Sequence, residues 1–296
     1  NTAGEARELY MQRLNMLMHG VLHNPTNPEV HLRLLEELHA SARRGNTANE
    51  WQMLIEAAES MMQQVSDDAG RARARVYHAM GIGRLTSQRS ETELAQGLDD
   101  LELALIALGA DDLAWATKIT GRLALIGKSE VVGRSQTTIE AARADLEKVV
   151  NRALEEVPNG PETAKAVLIH RLQGRSRNRS DETDAAVRAA ADRLMALLAA
   201  GAESGLVYES ATILELVPGD GTQRAATVLD RALTAEPGRH DLRLQLASLR
   251  FRAGDLPSTQ EHANRVIEAP QLSVSLLAHH QFDLRRRAAS LLGDVE

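Results

Sequence analysis

The chain has 296 residues, of which 43% are hydrophobic, 25% charged and only 2% aromatic, and its formal net charge is −7. This composition excludes a disordered chain, and no apolar run reaches the roughly 18 residues of a membrane-spanning helix. The absence of cysteine excludes disulfides, thiolate metal sites and a cysteine nucleophile, and the acidic balance argues against a nucleic-acid-binding surface.

Helical periodicity begins near the start of the chain. Between residues 5 and 22, apolar side chains recur at short regular spacings, which places them on one stripe of a helix. Pro25 and Pro28 end this helix, because proline removes a backbone donor and restricts the residue before it. Two further helices are predicted at 29–43 and 47–64.

Short segments rich in Gly, Pro, Asp or Ser break the rest of the chain. They leave segments of about 12 to 20 residues, the length of paired antiparallel helices, and none shows the period-two alternation of a strand. The sequence therefore predicts an all-α fold. The predicted breaks are 66–68, 86–90, 109–111, 127–135, 158–161, 174–181, 201–205, 218–221, 237–238, 254–255 and 270.

The most regular segment lies between residues 239 and 270. It reads as a helix, a turn at Gly254, a second helix and a closing proline. The first helix carries the apolar–small pair Leu246–Ala247, and the second carries a ladder of small or apolar residues. This segment resembles a tetratricopeptide repeat, in which small residues let two helices approach closely and proline or glycine ends each unit.

Copies of the pattern recur upstream. The preceding unit carries Ala225 and a terminating Pro237. Its ladder position lies 34 residues before that of the next unit, which matches the family period of about 34 residues. Ladder positions in the centre of the chain are more widely spaced, and we assign the extra residues to loops at 85–91, 127–136 and 173–182. The ladder positions are Ala57, Ala104, Ala153, Leu197, Ala232 and Val266.

The resemblance implies an all-α, right-handed superhelical solenoid of antiparallel helix pairs, with about six pairs plus terminal helices. We predict that residues 1–296 form a single repeat domain. It would comprise an N-terminal helix (1–28), irregular repeats with loop insertions (29–205), regular repeats (206–270) and a C-terminal capping helix (271–296).

Two short motifs resemble chemical sites. Gly127-Lys128-Ser129 is close to a phosphate-binding loop, but its distance from Gly121 is one residue too long and no strand precedes it, which favours a plain helix-end loop. His19 and His23 have the spacing of a metal-binding pair, but no acidic third ligand is obvious nearby, which favours a helix-terminal or core role. No Ser, His and Asp constellation stands out. We therefore predict a chain that is not an enzyme and that carries no metal and no cofactor.

Two clusters of arginine leave two interpretations open. Arg171, Arg175, Arg177 and Arg179 fall in a predicted loop, and residues 285–287 are three consecutive arginines on the terminal helix. Each cluster is either a solvated surface or a contact for an anion or an acidic partner, because guanidinium groups pair with carboxylates and phosphates.

The resemblance also implies where a partner would bind. In this family the first helices of successive pairs line a concave groove that receives a peptide or a helix of another protein. The Lys and Asn set by which chaperone-binding members clamp a terminal carboxylate is not recognisable, so we do not predict that ligand. The residues that map to the groove are His39, Arg43, Arg75, His78, Lys165, Gln245, Ser248 and Arg252.

The sequence thus predicts a non-catalytic scaffold that binds a peptide or protein partner, with no nucleic-acid partner and no membrane span in this fragment. The usual roles of this family, together with an arginine-rich and lysine-poor composition, suggest that the protein belongs to a bacterial assembly, secretion or envelope system. The protein would then be either exported to the periplasm or cytoplasmic. The chain begins at Asn1 without a methionine, so we expect a mature or excised fragment. The sequence leaves open whether the chain forms a homo-oligomer. The alternative is a ligand-sensing or regulatory helical domain of a larger signalling protein.

Overall fold

The computed structural model describes residues 2–45, 47–198, 203–268 and 278–293, and in these residues it contains α-helices and no β-strand. The predicted all-α fold class is confirmed. A short 3₁₀ helix, Thr86–Gln88, lies between the fourth and fifth α-helices. The α-helices are α1 (Thr2–His23), α2 (Pro28–Gly45), α3 (Ala48–Gln64), α4 (Asp68–Arg84), α5 (Glu91–Leu108), α6 (Asp112–Val131), α7 (Gln136–Glu156), α8 (Pro161–Arg177), α9 (Asp181–Leu197), α10 (Ser204–Leu214), α11 (Gly221–Ala235), α12 (His240–Arg252), α13 (Leu256–Ile267) and α14 (Ala278–Gly293).

The chain divides into two compact units, one of residues 14–173 and one of residues 1–13 with 174–296. Within the 14–173 unit, helices α2 to α7 pack in chain order, and α4 also contacts α2 and α6. Within the other unit, α10 to α14 pack in chain order, and α12 also contacts α10 and α14. Stacked helix pairs have this pattern, because the first helices of successive pairs meet as well. We call α2, α4, α6, α8, α10 and α12 the first helices.

Polar residues immediately before the helices fix where they begin. Thr47 forms a capping box with Glu50 ahead of α3, and Ser90 forms one with Glu93 ahead of α5. Backbone and side-chain hydrogen bonds from Ser90, together with one from Arg89, lower the pKa of Glu93 to about 2. Side-chain caps also begin α4, α6, α7, α9 and α13, at Asp67, Asp111, Ser135, Ser180 and Asp255.

The pair α12–α13 has the features that the repeat pattern predicts. Its connection passes through Gly254 at a φ of 77°, a conformation that favours glycine. Leu246 and Ala247 are fully buried in α12. The ladder of α13 is fully buried at Thr259, Ala263 and Val266.

The predicted ladder is out of register in part of the chain. Ala104, Ala153 and Val266 are buried as predicted. At the other three positions the predicted residue is half-buried, and the next residue along the chain is buried in its place. One residue corresponds to a turn of about 100° around a helix, so the predicted register is wrong by one residue there. Those buried residues are Ala58, Leu198 and Leu233.

The extra residues of the central repeats lengthen helices instead of forming the long loops predicted at 127–136 and 173–182. Helix α6 continues through Gly127, and α8 continues through Gly174. A glycine in a helix interior costs only about 1 kcal/mol relative to alanine, which the rest of a long helix can offset. Helices α6 and α7 have 20 and 21 residues, against 13 and 12 in α12 and α13.

Some predictions fall on residues that the structure does not describe. Residues 201–202 and 270, where breaks are predicted, lie outside the described residues, as do the ends of the predicted capping helix 271–296. In the described part of that segment, α14 packs against α12 and α13, with Ala288 fully buried. Residues 285–287 are exposed on α14.

Candidate interaction surfaces

Polar contacts between residues far apart in the sequence join the first helices of the 14–173 unit. Arg73 of α4 donates to both carboxylate oxygens of Asp111, at 3.1 and 2.6 Å, just before α6 begins. Asp112, the first residue of α6, accepts hydrogen bonds from the backbone N–H groups of Glu162 and Thr163 at 2.9 and 2.8 Å. Asp112 therefore caps the start of α8, and α4, α6 and α8 are connected through their N-terminal ends.

Glu162 then connects α8 to α2. Arg43 Nη1 donates to Glu162 Oε1 at 2.8 Å, and Lys165 Nζ lies 2.7 Å from Glu162 Oε2. The three side chains are only 5%, 8% and 14% exposed for Arg43, Lys165 and Glu162. Two of the predicted groove residues are thus brought together, but as buried partners of one carboxylate. They are not exposed contacts for a ligand, because burying either charge without Glu162 would be costly.

The other predicted residues of this unit have different surroundings. The His39 ring lies 5.4 Å from the Tyr77 ring, and His78 Nε2 lies 3.3 Å from Glu59 Oε1 of α3. Both histidines therefore contribute to contacts between helices. Arg75 of α4 is half-buried and makes no hydrogen bond or ion pair with any residue that the structure describes.

The predicted residues of α12 mainly hold this helix in place. Gln245 Nε2 donates to Thr212 Oγ1 of α10 at 2.9 Å, and Ser248 Oγ donates to a carbonyl of its own helix at 3.0 Å. Arg252 binds Glu215 in bidentate fashion, with two hydrogen bonds of 2.8 Å. Gln245 and Arg252 thus join neighbouring first helices, and the Arg252 side chain stays 53% exposed.

A cleft that the sequence did not indicate lies along α6, between α5 and α7. Trp115, Lys118, Arg122, Ile126 and Ser129 recur every three or four positions, so they lie on one face of α6. A cavity of about 300 Å³ lies at the N-terminal end of this face. A cavity of about 430 Å³ lies at the C-terminal end. Arg122 separates the two, since it bonds Asp145 of α7 at 2.5 Å and lies 3.7 Å from Glu102 of α5.

The first cavity, which we call the Trp115 pocket, has an aromatic wall between cations. Lys118 Nζ lies 4.9 Å from the centre of the Trp115 ring, and Arg152 Cζ lies 5.5 Å from it, both within cation–π range. Lys118 Nζ also pairs with Glu102 Oε1 at 2.6 Å. Helix α5 contributes Ile106, whose side chain is 82% exposed at the rim. The other lining residues are Leu105, Gly109 and Glu156.

The second cavity has polar groups that are satisfied within the protein. Arg134 binds Glu91 through hydrogen bonds of 3.1 and 2.8 Å, and Ser129 Oγ donates to Glu91 at 2.5 Å. The hydrogen bonds from Arg134 and then Ser129 lower the pKa of Glu91 below its usual value. This end of the cleft therefore offers fewer open donors than the Trp115 pocket.

The two motifs that resemble chemical sites lie within helices, where their side chains contact other residues of the protein. Gly127-Lys128-Ser129 is helical, and Lys128 Nζ donates to the Thr86 carbonyl at 3.2 Å. The rings of His19 and His23 stack with their centres 6.3 Å apart at the end of α1. Throughout the residues that the structure describes, no group of three or more His, Asp or Glu side chains is arranged to hold a metal ion.

The arginines predicted to occupy one loop lie mainly on α8. Arg171 pairs with Glu147 at 2.6 Å, and Arg175 pairs with Asp184. Although burial works in the opposite direction, hydrogen bonds from His170 and Arg171 lower the pKa of Glu147. Arg171 and Arg175 thus stabilise contacts between helices.

Sequence reasoning missed the Trp115 pocket because its walls come from three helices. A signal was nevertheless present, since Trp115 is one of only two tryptophans in a chain with 2% aromatic residues. A large side chain is conspicuous where packing otherwise depends on Ala, Leu and Val. Its spacing of three from Lys118 places both on one helix face.

Comparisons with known proteins give no family assignment. No protein-family model matches the sequence, and no curated protein matches it. In the described residues, no helix has both the length and the apolar character needed to cross a membrane. The fold is similar to the crystal structure of the yeast Tom70, with a TM-score of 0.37 and 12% sequence identity over 97% of this chain. The match covers 60% of the Tom70 chain, so this chain spans less than two thirds of that structure's length.

Proposed function

We propose that the chain is a non-catalytic scaffold that binds a peptide or protein partner, and that the cleft along α6 is its contact surface. The observation that carries this proposal is an open pocket beside large exposed apolar side chains. Ile106 of α5 lines the cavity at Trp115 and is 82% exposed, and Leu103, three positions earlier on the same helix, is 53% exposed. Apolar side chains at the rim of a concave site gain most when a partner covers them.

The face of the first helices within the 14–173 unit is the second location for a partner. Arg43 and Lys165 are buried against Glu162 there, so a peptide would have to displace an internal charge cluster. Arg75 makes no hydrogen bond or ion pair with the described residues, so its donors are open to such a peptide. The compartment, the organism class and any homo-oligomer stay predictions from the sequence.

A cross-linking experiment separates the two surfaces. The chain carries a photo-cross-linkable residue in place of Leu103 and is exposed to lysate of its native organism. We expect discrete cross-linked proteins that are lost with Ile106→Asp and retained with Arg33→Gln, a matched control on the exposed side of α2. Circular dichroism checks that each variant is folded.

Two results would contradict the proposal. Absence of any cross-linked protein above a non-irradiated control would remove the support for a scaffold. Loss of the cross-linked proteins with Arg75→Glu but not with Ile106→Asp would move the partner from the cleft to the first helices.

A further inference from the structure

The Trp115 pocket contains a buried donor without an acceptor. Trp115 is 3% exposed, and its indole Nε1 has no hydrogen-bond partner in the described structure. Lys118, at 5% exposure, is a second buried polar lining residue. Buried polar groups in folded proteins normally have partners, so an unmatched indole N–H on a residue that lines a cavity is an exception.

Arg152 adds a second set of open donors. Its guanidinium is held over the Trp115 ring, and its side chain is 66% exposed. Its one described ion pair, with Glu156, is 3.7 Å long, beyond hydrogen-bond distance. Arg152 makes no hydrogen bond with the described residues. A guanidinium already positioned by an aromatic face can bind a carboxylate in bidentate fashion with little loss of side-chain freedom.

The charges around the pocket restrict the ligand. Lys118 and Arg152 are balanced by Glu102 and Glu156, so the lining has a surplus of donors but no surplus of positive charge. A polyphosphate would bring several negative charges against these two carboxylates, whereas a carboxylate brings one. A single carboxylate matches the open donors at Arg152 and leaves the Lys118–Glu102 pair, at 2.6 Å, in place.

The apolar rim distinguishes a peptide from a small free acid. Ile106 lines the pocket, and Leu103 is an exposed residue three positions earlier on α5, so the two lie on neighbouring parts of its surface. A ligand confined to about 300 Å³ would leave Leu103 in water. A chain that continues out of the pocket would cover both side chains.

We infer that the Trp115 pocket binds the carboxylate of an acidic side chain in a partner peptide, with Arg152 as the main donor, and that an adjacent apolar residue of the peptide covers Ile106. This inference deepens the proposed function and rests on it. It assigns the pocket to short acidic–apolar segments of a partner protein.

The test uses the two tryptophans as separate probes in nuclear magnetic resonance. The chain, labelled with ¹⁵N, is titrated with the blocked peptide acetyl-Ala-Glu-Leu-Ala-amide and with the same peptide carrying Gln in place of Glu. We expect a saturable shift of the Trp115 indole N–H with the Glu peptide and none at Trp51, which lies on α3. Trp115→Phe assigns the resonances.

The carboxylate should strengthen binding about tenfold over the Gln peptide, the usual effect of one charge-assisted hydrogen-bonded pair. Arg152→Gln should remove this advantage. Arg134→Gln, a matched change in the second cavity, should retain it.

Equal affinity for the two peptides, or an Arg152→Gln chain that still prefers the Glu peptide, would overturn the inference. Free acetate that saturates the same shift at the same concentration would also overturn it, because the site would then bind small acids. Failure of this inference can be distinguished from failure of the proposed function. If cross-linking depends on Ile106 while neither peptide shifts Trp115, the scaffold stands and the carboxylate inference falls.

Discussion

At the scale of single residues, Glu162 connects more of the 14–173 unit than any sequence pattern suggests. Its carboxylate contacts Arg43 of α2 and Lys165 of α8, and its backbone N–H is capped by Asp112 of α6. Charges buried in this way are stable only together, because each loses its hydration on folding. The partners are thus mutually dependent.

Replacing the Glu162 carboxylate should therefore be costly. Glu162→Gln removes the charge of a carboxylate that both buried cations contact, Arg43 at 2.8 Å and Lys165 at 2.7 Å, and we expect the free energy of unfolding to fall by about 3 kcal/mol. Urea unfolding followed by circular dichroism measures it. Glu29→Gln is the matched control, since the Arg33–Glu29 pair is 66% and 70% exposed. It should cost less than about 0.5 kcal/mol. Equal losses of unfolding free energy in the two variants would show that the buried cluster adds no more stability than the exposed pair.

At the scale of helices, the central repeats differ from the C-terminal ones by having longer helices with similar connections. Helix α6 extends to Val131, past the glycine predicted to stop it. A Cβ at Gly127 would meet no atom within 4 Å, so this glycine is not required by close packing. Gly81 of α4 contrasts with it, because a Cβ there would lie 2.6 Å from Ile55 Cγ1.

These two glycines give opposite predictions. Gly127→Ala should raise the free energy of unfolding by up to about 1 kcal/mol, because alanine loses less chain entropy in a helix. Gly81→Ala should lower it by about 1 to 3 kcal/mol, because the methyl group overpacks the contact with α3. Thermal and urea unfolding of both variants measure the signs. A destabilising Gly127→Ala would instead favour the loop predicted from the sequence at 127–136.

At the scale of the whole molecule, the stacking of neighbours has consequences for how the chain unfolds. Helices α12 to α14 contact one another, α10 and α11, whereas α2 to α7 pack among themselves within residues 14–173. When each pair contacts mainly its neighbours, stability is close to a sum of unit and interface contributions. Removal of one end should therefore leave distant pairs folded.

Truncation at Pro237 tests this expectation. A chain of residues 1–236 lacks α12 to α14, and we expect amide hydrogens of α4, α5 and α6 to keep their protection against hydrogen exchange, measured by mass spectrometry. Amides of α10 and α11 should exchange faster, because their neighbour α12 is lost. Full exchange throughout α4 to α6 would indicate one cooperative core.

The sequence by itself determined the helical class, the alternation of helix pairs and the turn at Gly254, because apolar periodicity, capping side chains and glycine act within a few residues. The tertiary structure alone decided that Arg43 meets Glu162, 119 positions away, and that Asp112 caps α8. It also decided that Trp115, Ile106 and Arg152 share one pocket. The register of the ladder likewise depended on packing between helices. Such contacts are set by which faces meet when distant segments stack, and local patterns do not encode that choice.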